Sequence, residues 1–216
     1  MINIKTFTVN PLEVNCYVLS DETKEAVLID PGTFAASEWD DVAAYIRSEG
    51  LTVRHCLLTH SHFDHIMGCH YAFRDLVLKP EGHADDVEQY KMLPMQAKTF
   101  FGLSLSVPPQ PDFGKCLNEG TTVAFGTRTL TVMHTPGHSP GCVCYYMEQD
   151  KLIFTGDTLF RGSMGRIDLP GGNGMAMMAS LRCLSALPPD TQVYPGHGPA
   201  TSIENEKGWI QAICKR

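Results

Sequence analysis

Positive charge is scarce in this chain. Seventeen Lys and Arg stand against 24 Asp and Glu, a formal net charge of -7. No run of five or six like charges occurs, so phosphate-backbone binding through a basic face is excluded as the main activity. Long apolar stretches are also lacking, and every run falls well short of the roughly 18 residues that a membrane-spanning helix needs. The first residues alternate apolar and polar instead of forming a basic region followed by an apolar one, so no secretory leader is expected. Cysteine is too sparse, at 8 in 216 residues, for a disulfide-built scaffold. No N-x-Ser/Thr acceptor exists, and with the unpatterned cysteines this points to a reducing cytoplasm. What is present is ample apolar material: 43% hydrophobic and 19% charged residues, enough for one sizeable core over residues 1–216.

Periodicity gives an α/β protein. Ile2–Val9 alternates, and Cys16–Leu19 and Ala26–Ile29 are short β-type runs that end at Asp30-Pro31-Gly32. Trp39, Val42, Ala43 and Ile46 fall at i, i+3, i+4 and i+7, which predicts a helix over 37–49. Val53–Thr59 reads as a strand, and a helix is expected to start near Asp64. Residues 85–101 read as helical but are interrupted by Pro94. Hairpins are predicted over 121–134 and 143–154, helices over 175–187 and 202–214, and a short strand over 192–194. The order of strands, helix, strand, helix occurs twice, which suggests two packed sheets with helices outside.

The chemistry gathers at strand ends. Cys56–Thr59 leads into His60-Ser61-His62-Phe63-Asp64-His65. Leu130–His134 leads into Thr135-Pro136-Gly137-His138. Leu152–Thr155 leads into Gly156-Asp157, and Val193-Tyr194 into Pro195-Gly196-His197. Polar side chains after buried strands converge on one edge, where open α/β folds carry their sites. A lone buried histidine is generally a hydrogen-bonded core residue. Four metal-competent side chains within six residues, directly after an apolar strand, have no packing rationale. Imidazole with carboxylate suits Zn²⁺, Fe or Mn. Seven ligands are too many for one ion with an open position. They divide as His60, His62 and His138 around one ion and Asp64, His65 and His197 around a second, with Asp157 bridging. His55, His70, His83 and His134 are read as structural.

Taken together, T-H-S-H-F-D-H, T-P-G-H-S-P-G, G-D-T-L-F and P-G-H-G-P, with D-P-G upstream, resemble the metallo-β-lactamase superfamily, and within it the short bacterial form of glyoxalase II. The resemblance implies an αββα sandwich of two mixed sheets with helices on the outer faces. It also implies a two-metal site, Zn favoured over Fe or Mn, with Asp64 and Asp157 as the catalytic carboxylates. A hydroxide held between the ions would attack the carbonyl of an acyl-thiol such as S-lactoylglutathione, and the thiolate would leave without a strong acid. Arg166, and Arg161 less directly, would bind a substrate carboxylate. Departures bear on the substrate. The stretch after His197 is short, with no room for the helical domain that supplies glutathione contacts. Gly198-Pro199 stand where an aromatic contact is expected, and Asp168 where a tyrosine is. The rival readings are a mononuclear iron persulfide dioxygenase, a lactonase, and a non-catalytic metal-binding module.

Overall fold

The computed structural model describes residues 1–102 and 107–214. Two sheets face each other. The first runs in spatial order β1 (Asn3–Val9), β2 (Val14–Ser20), β3 (Glu25–Ile29), β4 (Thr52–Leu57) and β5 (Pro80–Glu81). The second contains β6 (Thr122–Phe125), β7 (Arg128–His134), β8 (Val143–Met147), β9 (Leu152–Gly156), β12 (Gln192–Pro195) and β13 (Thr201–Ser202), in the order β13-β12-β9-β8-β7-β6. A small ribbon, β10 (Leu159–Phe160) with β11 (Ser163–Met164), lies between β9 and β12 in the chain. Both large sheets are mixed: β3 pairs in parallel with β4, and β12 with β9, among otherwise largely antiparallel neighbours.

Side-chain alternation shows why the sheets stack. In β2 and β3, Tyr17, Leu19, Val27 and Ile29 meet Val132, Tyr145 and Phe154 of the second sheet in one buried cluster. Their neighbours in sequence, Cys16, Val18, Ala26 and Leu28, face the other way. They pack on Trp39, Val42, Ala43 and Ile46 of α1 (Ala36–Ser48), the i, i+3, i+4, i+7 stripe of the sequence. On the far side Cys144, Ile153 and Val193 pack on Met177, Leu181 and Leu184 of α6 (Gly174–Ser185) and Ile210 of α7 (Ile203–Cys214). A strand buried on both faces cannot alternate with polar residues, which is why β2, β3, β8 and β9 read as apolar runs. The layers are helix, sheet, sheet, helix, as the sequence resemblance implies.

Two regions differ from expectation. The helix near Asp64 is a single turn, α2 (Phe63–Ile66), followed by a separate α3 (Cys69–Leu76). The segment around Pro94 is two helices rather than one interrupted helix: α4 (Val87–Lys91), then α5 (Leu93–Phe101) with Pro94 in its first turn. Proline fits there because first-turn amides have no intrahelical acceptor. Among the described residues no helix is long and apolar enough to cross a membrane.

Candidate metal centre

All four ligand-bearing segments arrive at one edge. His60 and His62 follow β4, with Asp64 and His65 on α2. His138 follows β7, Asp157 follows β9, and His197 follows β12. The sheets are laced together at that edge. Val143 N donates to Thr59 O at 2.8 Å, and Tyr145 Oη donates to Leu58 O at 2.6 Å. Asn15 N donates to Gly196 O at 2.8 Å, and Tyr17 Oη to Pro195 O at 2.7 Å. Gly156 sits at φ +47°, and a β-carbon there would strike Thr59 Oγ1, so the turn into Asp157 requires glycine. Gly137, at φ +146°, would meet the Met177 backbone at 2.5 Å if it carried a β-carbon, and this lets His138 approach.

The convergence is tight. Ligand atoms of His60, His62 and His138 lie within 4.8 Å of one another, as do those of His60, His65 and Asp157, and those of Asp64, His65 and His197. Asp157 spans the groups: Oδ1 is 3.4 Å from His65 Nε2, and Oδ2 is 3.4 Å from His138 Nε2 and 3.6 Å from His197 Nε2. Among the described residues, Asp64 Oδ2 pairs with His197 and His65, at 3.4 and 3.7 Å.

Outer partners fix the rings. The hydrogen-bond network assigns Nδ1–H to four of them, because each Nδ1 faces an acceptor. His65 Nδ1 donates to Asp30 Oδ2 at 3.0 Å, His138 Nδ1 to Arg166 O at 2.8 Å, and His197 Nδ1 to Leu12 O at 2.9 Å. Thr59 Oγ1 donates to Asp30 Oδ2 and therefore accepts from His60 Nδ1 at 3.1 Å. Each Nε2 is left facing the centre. His62 is turned the other way, with Nδ1 2.7 Å from His138 Nε2. Asp30 performs this role from a left-handed backbone conformation, φ 49°, at 1% exposure, and its Oδ1 also accepts from Thr59 N. Strain of this kind persists only where the surroundings enforce it.

The donor set fits cations. His60 Nε2, which faces the centre, and Asp157 Oδ1 are buried with no hydrogen-bond partner. His65 Nε2 and His197 Nε2 lie 3.3 Å apart, so a single hydrogen can lie between them. Burial drives the His60 imidazole down, helped by His65, and drives His62 down to about 3. These two are neutral ligands at any ordinary pH. His65 and His197 behave oppositely. Burial lowers both, but for His65 the carboxylates of Asp157, Asp64 and Asp30 overcome it, and for His197 Asp64 and Asp157 do, so both end raised. Burial pushes Asp64 and Asp157 up, yet the surrounding imidazoles, His65 foremost, hold both below the usual carboxylate range. The negative charge of the two carboxylates favours protons on His65 and His197, where dications would neutralise the same charge.

Two supports escaped sequence reasoning. Asp86 is 1% exposed, and its carboxylate accepts from Ser61 N (2.9 Å), Gly141 N (2.7 Å) and Ser139 Oγ (2.8 Å). It ties the His60–His62 loop to the His138 loop. Gln96 on α5 accepts from Phe63 N at 3.1 Å and donates to Ser61 O at 3.0 Å. Neither sits in a local motif; a buried aspartate or glutamine with a distant partner leaves no pattern in a single sequence.

The remaining predicted residues are placed as follows. A cleft of about 480 Å³ opens on the centre, lined by His62, Asp64, His138, Asp157 and His197, with Arg166 and Leu169 at its side. Arg166 makes a bidentate pair with Asp168, at 2.8 and 2.7 Å. Arg161 binds Ala200 O and is not among the residues lining the cleft. His55 pairs with Glu81, and His70 Nδ1 contacts Met67 O. His83 and His134 stack at 4.1 Å and, with Asp85, form a separate metal-competent group. There His83 Nδ1 accepts from Asp85 N, and His134 Nε2 donates to Pro140 O.

Fold and cage together define a four-layer α/β protein whose joined sheet edges present a cation-binding site. The chain belongs to the metallo-beta-lactamase superfamily, whose family model matches residues 9–197. It is 32% identical over 209 residues to hydroxyacylglutathione hydrolase GloC of Haemophilus influenzae, covering 95% of each chain. It is similar in structure to the B3 metallo-beta-lactamase BLEG-1, with TM-score 0.85 and 32% identity over 97% of this chain and 99% of that one. It is also similar to TTHA1623 in a di-iron-bound form, with TM-score 0.81 and 39% identity over 93% and 96%.

Proposed function

We propose that this chain is a thioester hydrolase with two metal ions. His60, His62 and His138 would hold one ion and Asp64, His65 and His197 the other, with Asp157 available to both. The observation that carries the reading is the cage of inward-facing nitrogens with Asp157 Oδ1, which no hydrogen bond engages, at its middle. The relationship to GloC supports the thioester, and the di-iron form of TTHA1623 supports two ions. Zn²⁺ is the favoured ion, with Fe or Mn compatible with the same ligands.

Bound ions would lower the pKa of a water and polarise the acyl carbonyl. The chain's own residues do the rest. Asp157 and Asp64 stay ionised in spite of burial, so they can accept hydrogen bonds from a nucleophilic water and orient it. Outer acceptors keep four of the rings in one tautomer, so the ligand atoms need no rearrangement when substrate arrives. A thiol leaving group has a pKa near 8.5, so it departs as thiolate and needs no general acid. Free thiols at all eight cysteines accord with a reducing cytoplasm as the working compartment.

The experiment is a substrate panel with metal-loaded protein: S-lactoylglutathione, simple acyl thioesters, a lactone, a chromogenic β-lactam and a persulfide. Thioester turnover well above that of the metal-free protein supports the proposal. Oxygen uptake on the persulfide with one iron per chain, or turnover confined to the lactone or β-lactam, would replace it.

A further inference from the structure

Beside the metal-facing cleft lies a second cavity, of about 280 Å³, walled by Gln89, Met92, Met95, Gln96, Thr99 and Pro140. The two cavities adjoin at Thr99, which lines both. The wall is mostly carbon, and Met92 and Met95 leave 44% and 56% of their surface exposed. Exposed methionines beside an active-site cleft form an adaptable apolar surface that water covers poorly. The charge at the cleft points the same way. Among the described residues lining it the sole Arg or Lys is Arg166, and Asp168 already neutralises that guanidinium. Apart from the ions the centre would hold, an anionic group entering here finds no unpaired side-chain cation among the described residues, whereas a hydrocarbon group finds a wall of carbon.

We infer that this cavity binds the apolar acyl arm of the substrate, so the preferred thioesters carry an aliphatic or aromatic acyl group rather than a small hydroxyacyl group. The inference rests on the thioester reading above. It assigns the acyl side because a soluble thiol carrier is polar along its length, while the acyl group has no such requirement. Gln96 adds a mechanical link: the side chain that walls the cavity also clamps Ser61 and Phe63 on either side of His62. An occupied cavity therefore braces the loop that carries a ligand of the centre.

The test uses the full-length metal-loaded protein and linear acyl thioesters of N-acetylcysteamine, from acetyl to octanoyl. Burying one methylene corresponds to a gain of roughly two- to fourfold, so kcat/KM should climb by that factor per carbon and then level off. Met95→Gln should flatten the climb. Met175→Gln, on the exposed face of α6 outside the cavity, should keep it. A parallel calorimetric series with the non-hydrolysable S-alkyl thioethers of the same carrier reads the cavity without any reaction. Chain-length dependence in both series supports the inference. Thioester turnover without chain-length dependence overturns it and leaves the hydrolase reading standing. Length-dependent thioether binding with no thioester turnover supports the apolar site and overturns the reaction. A climb that follows the thiol side at constant acetyl group overturns the acyl assignment.

Discussion

Removing the Asp86 carboxylate should loosen the metal centre from outside it. Asp86→Ala deletes three hydrogen bonds at a site 1% exposed, two of them to the backbone amides of Ser61 and Gly141. Each buried amide left without an acceptor costs about 1–3 kcal/mol. Ser139 can turn its hydroxyl towards the nearby Cys142 sulfur and loses less. Part of the loss is offset, because burial raises the Asp86 pKa and the isolated carboxylate is itself an unfavourable group there. The expected net loss is about 3 kcal/mol, a large share of the ~5–15 kcal/mol that a folded domain has in hand. Asp86→Asn should fall between, since one amide oxygen can still serve one loop while its NH₂ opposes the other. Urea unfolding of metal-free protein measures the stability term. Chelator competition measures the second consequence, a fall in metal affinity of roughly tenfold, the lower end for lost outer-shell support. An Asp86→Ala protein within 0.5 kcal/mol (about half the value of one ordinary hydrogen bond) of wild type and with unchanged metal affinity would refute the argument that this carboxylate holds the two loops in register.

Three further outcomes follow from the same structure. His138→Ala and His197→Ala should each lose metal from a different group, leaving about one equivalent per chain by elemental analysis; loss of both ions, or of neither, from each variant would count against two separable sites. Acid should empty the Asp64–His65–His197 group first, because protons compete for the raised His65 and His197 while His60 and His62 are already neutral; simultaneous loss of both ions on equilibrium dialysis would contradict this. Asp21 accepts from the backbone amides and hydroxyls of Thr23 and Thr127, and these bonds outweigh burial and lower its pKa. Its stabilisation is present above the unfolded carboxylate pKa and fades as pH falls from there towards the lower folded value. Asp21→Asn should therefore cost about 1–3 kcal/mol at neutral pH, with the gap from wild type closing below roughly pH 4 in denaturant titrations; a gap that does not change with pH would show that the charge is irrelevant.

Much of this architecture is written locally. The α1 stripe at Trp39, Val42, Ala43 and Ile46 is also the buried face of the helix, because one helix lies on one sheet and the period is undisturbed. The apolar runs of β2, β3, β8 and β9 are legible for the converse reason: covered on both faces, they carry no polar alternation. The seven candidate ligands could be seen because they fall in four short segments, each of which comes soon after a strand: β4, β7, β9 and β12. What stayed hidden depends on pairs distant in sequence. Asp30 reaches His65 across 35 residues, Asp86 reaches Ser139 across 53, and Asn15 reaches Gly198 across 183. The helix pair around Pro94 was ambiguous because proline forbids a helix interior but favours a first turn, and the sequence carries no stronger stop before it. Arg166 was visible as a charge, but its pairing with Asp168 depends on loop geometry.

Anomalous diffraction from crystals of metal-loaded protein, collected on either side of the metal absorption edge, addresses the two-ion centre directly. The structure predicts two peaks per chain a few ångströms apart, one among His60, His62 and His138 and one among Asp64, His65 and His197, with Asp157 touching both. A single peak, or density at His83 and His134 with an empty cage, would contradict it.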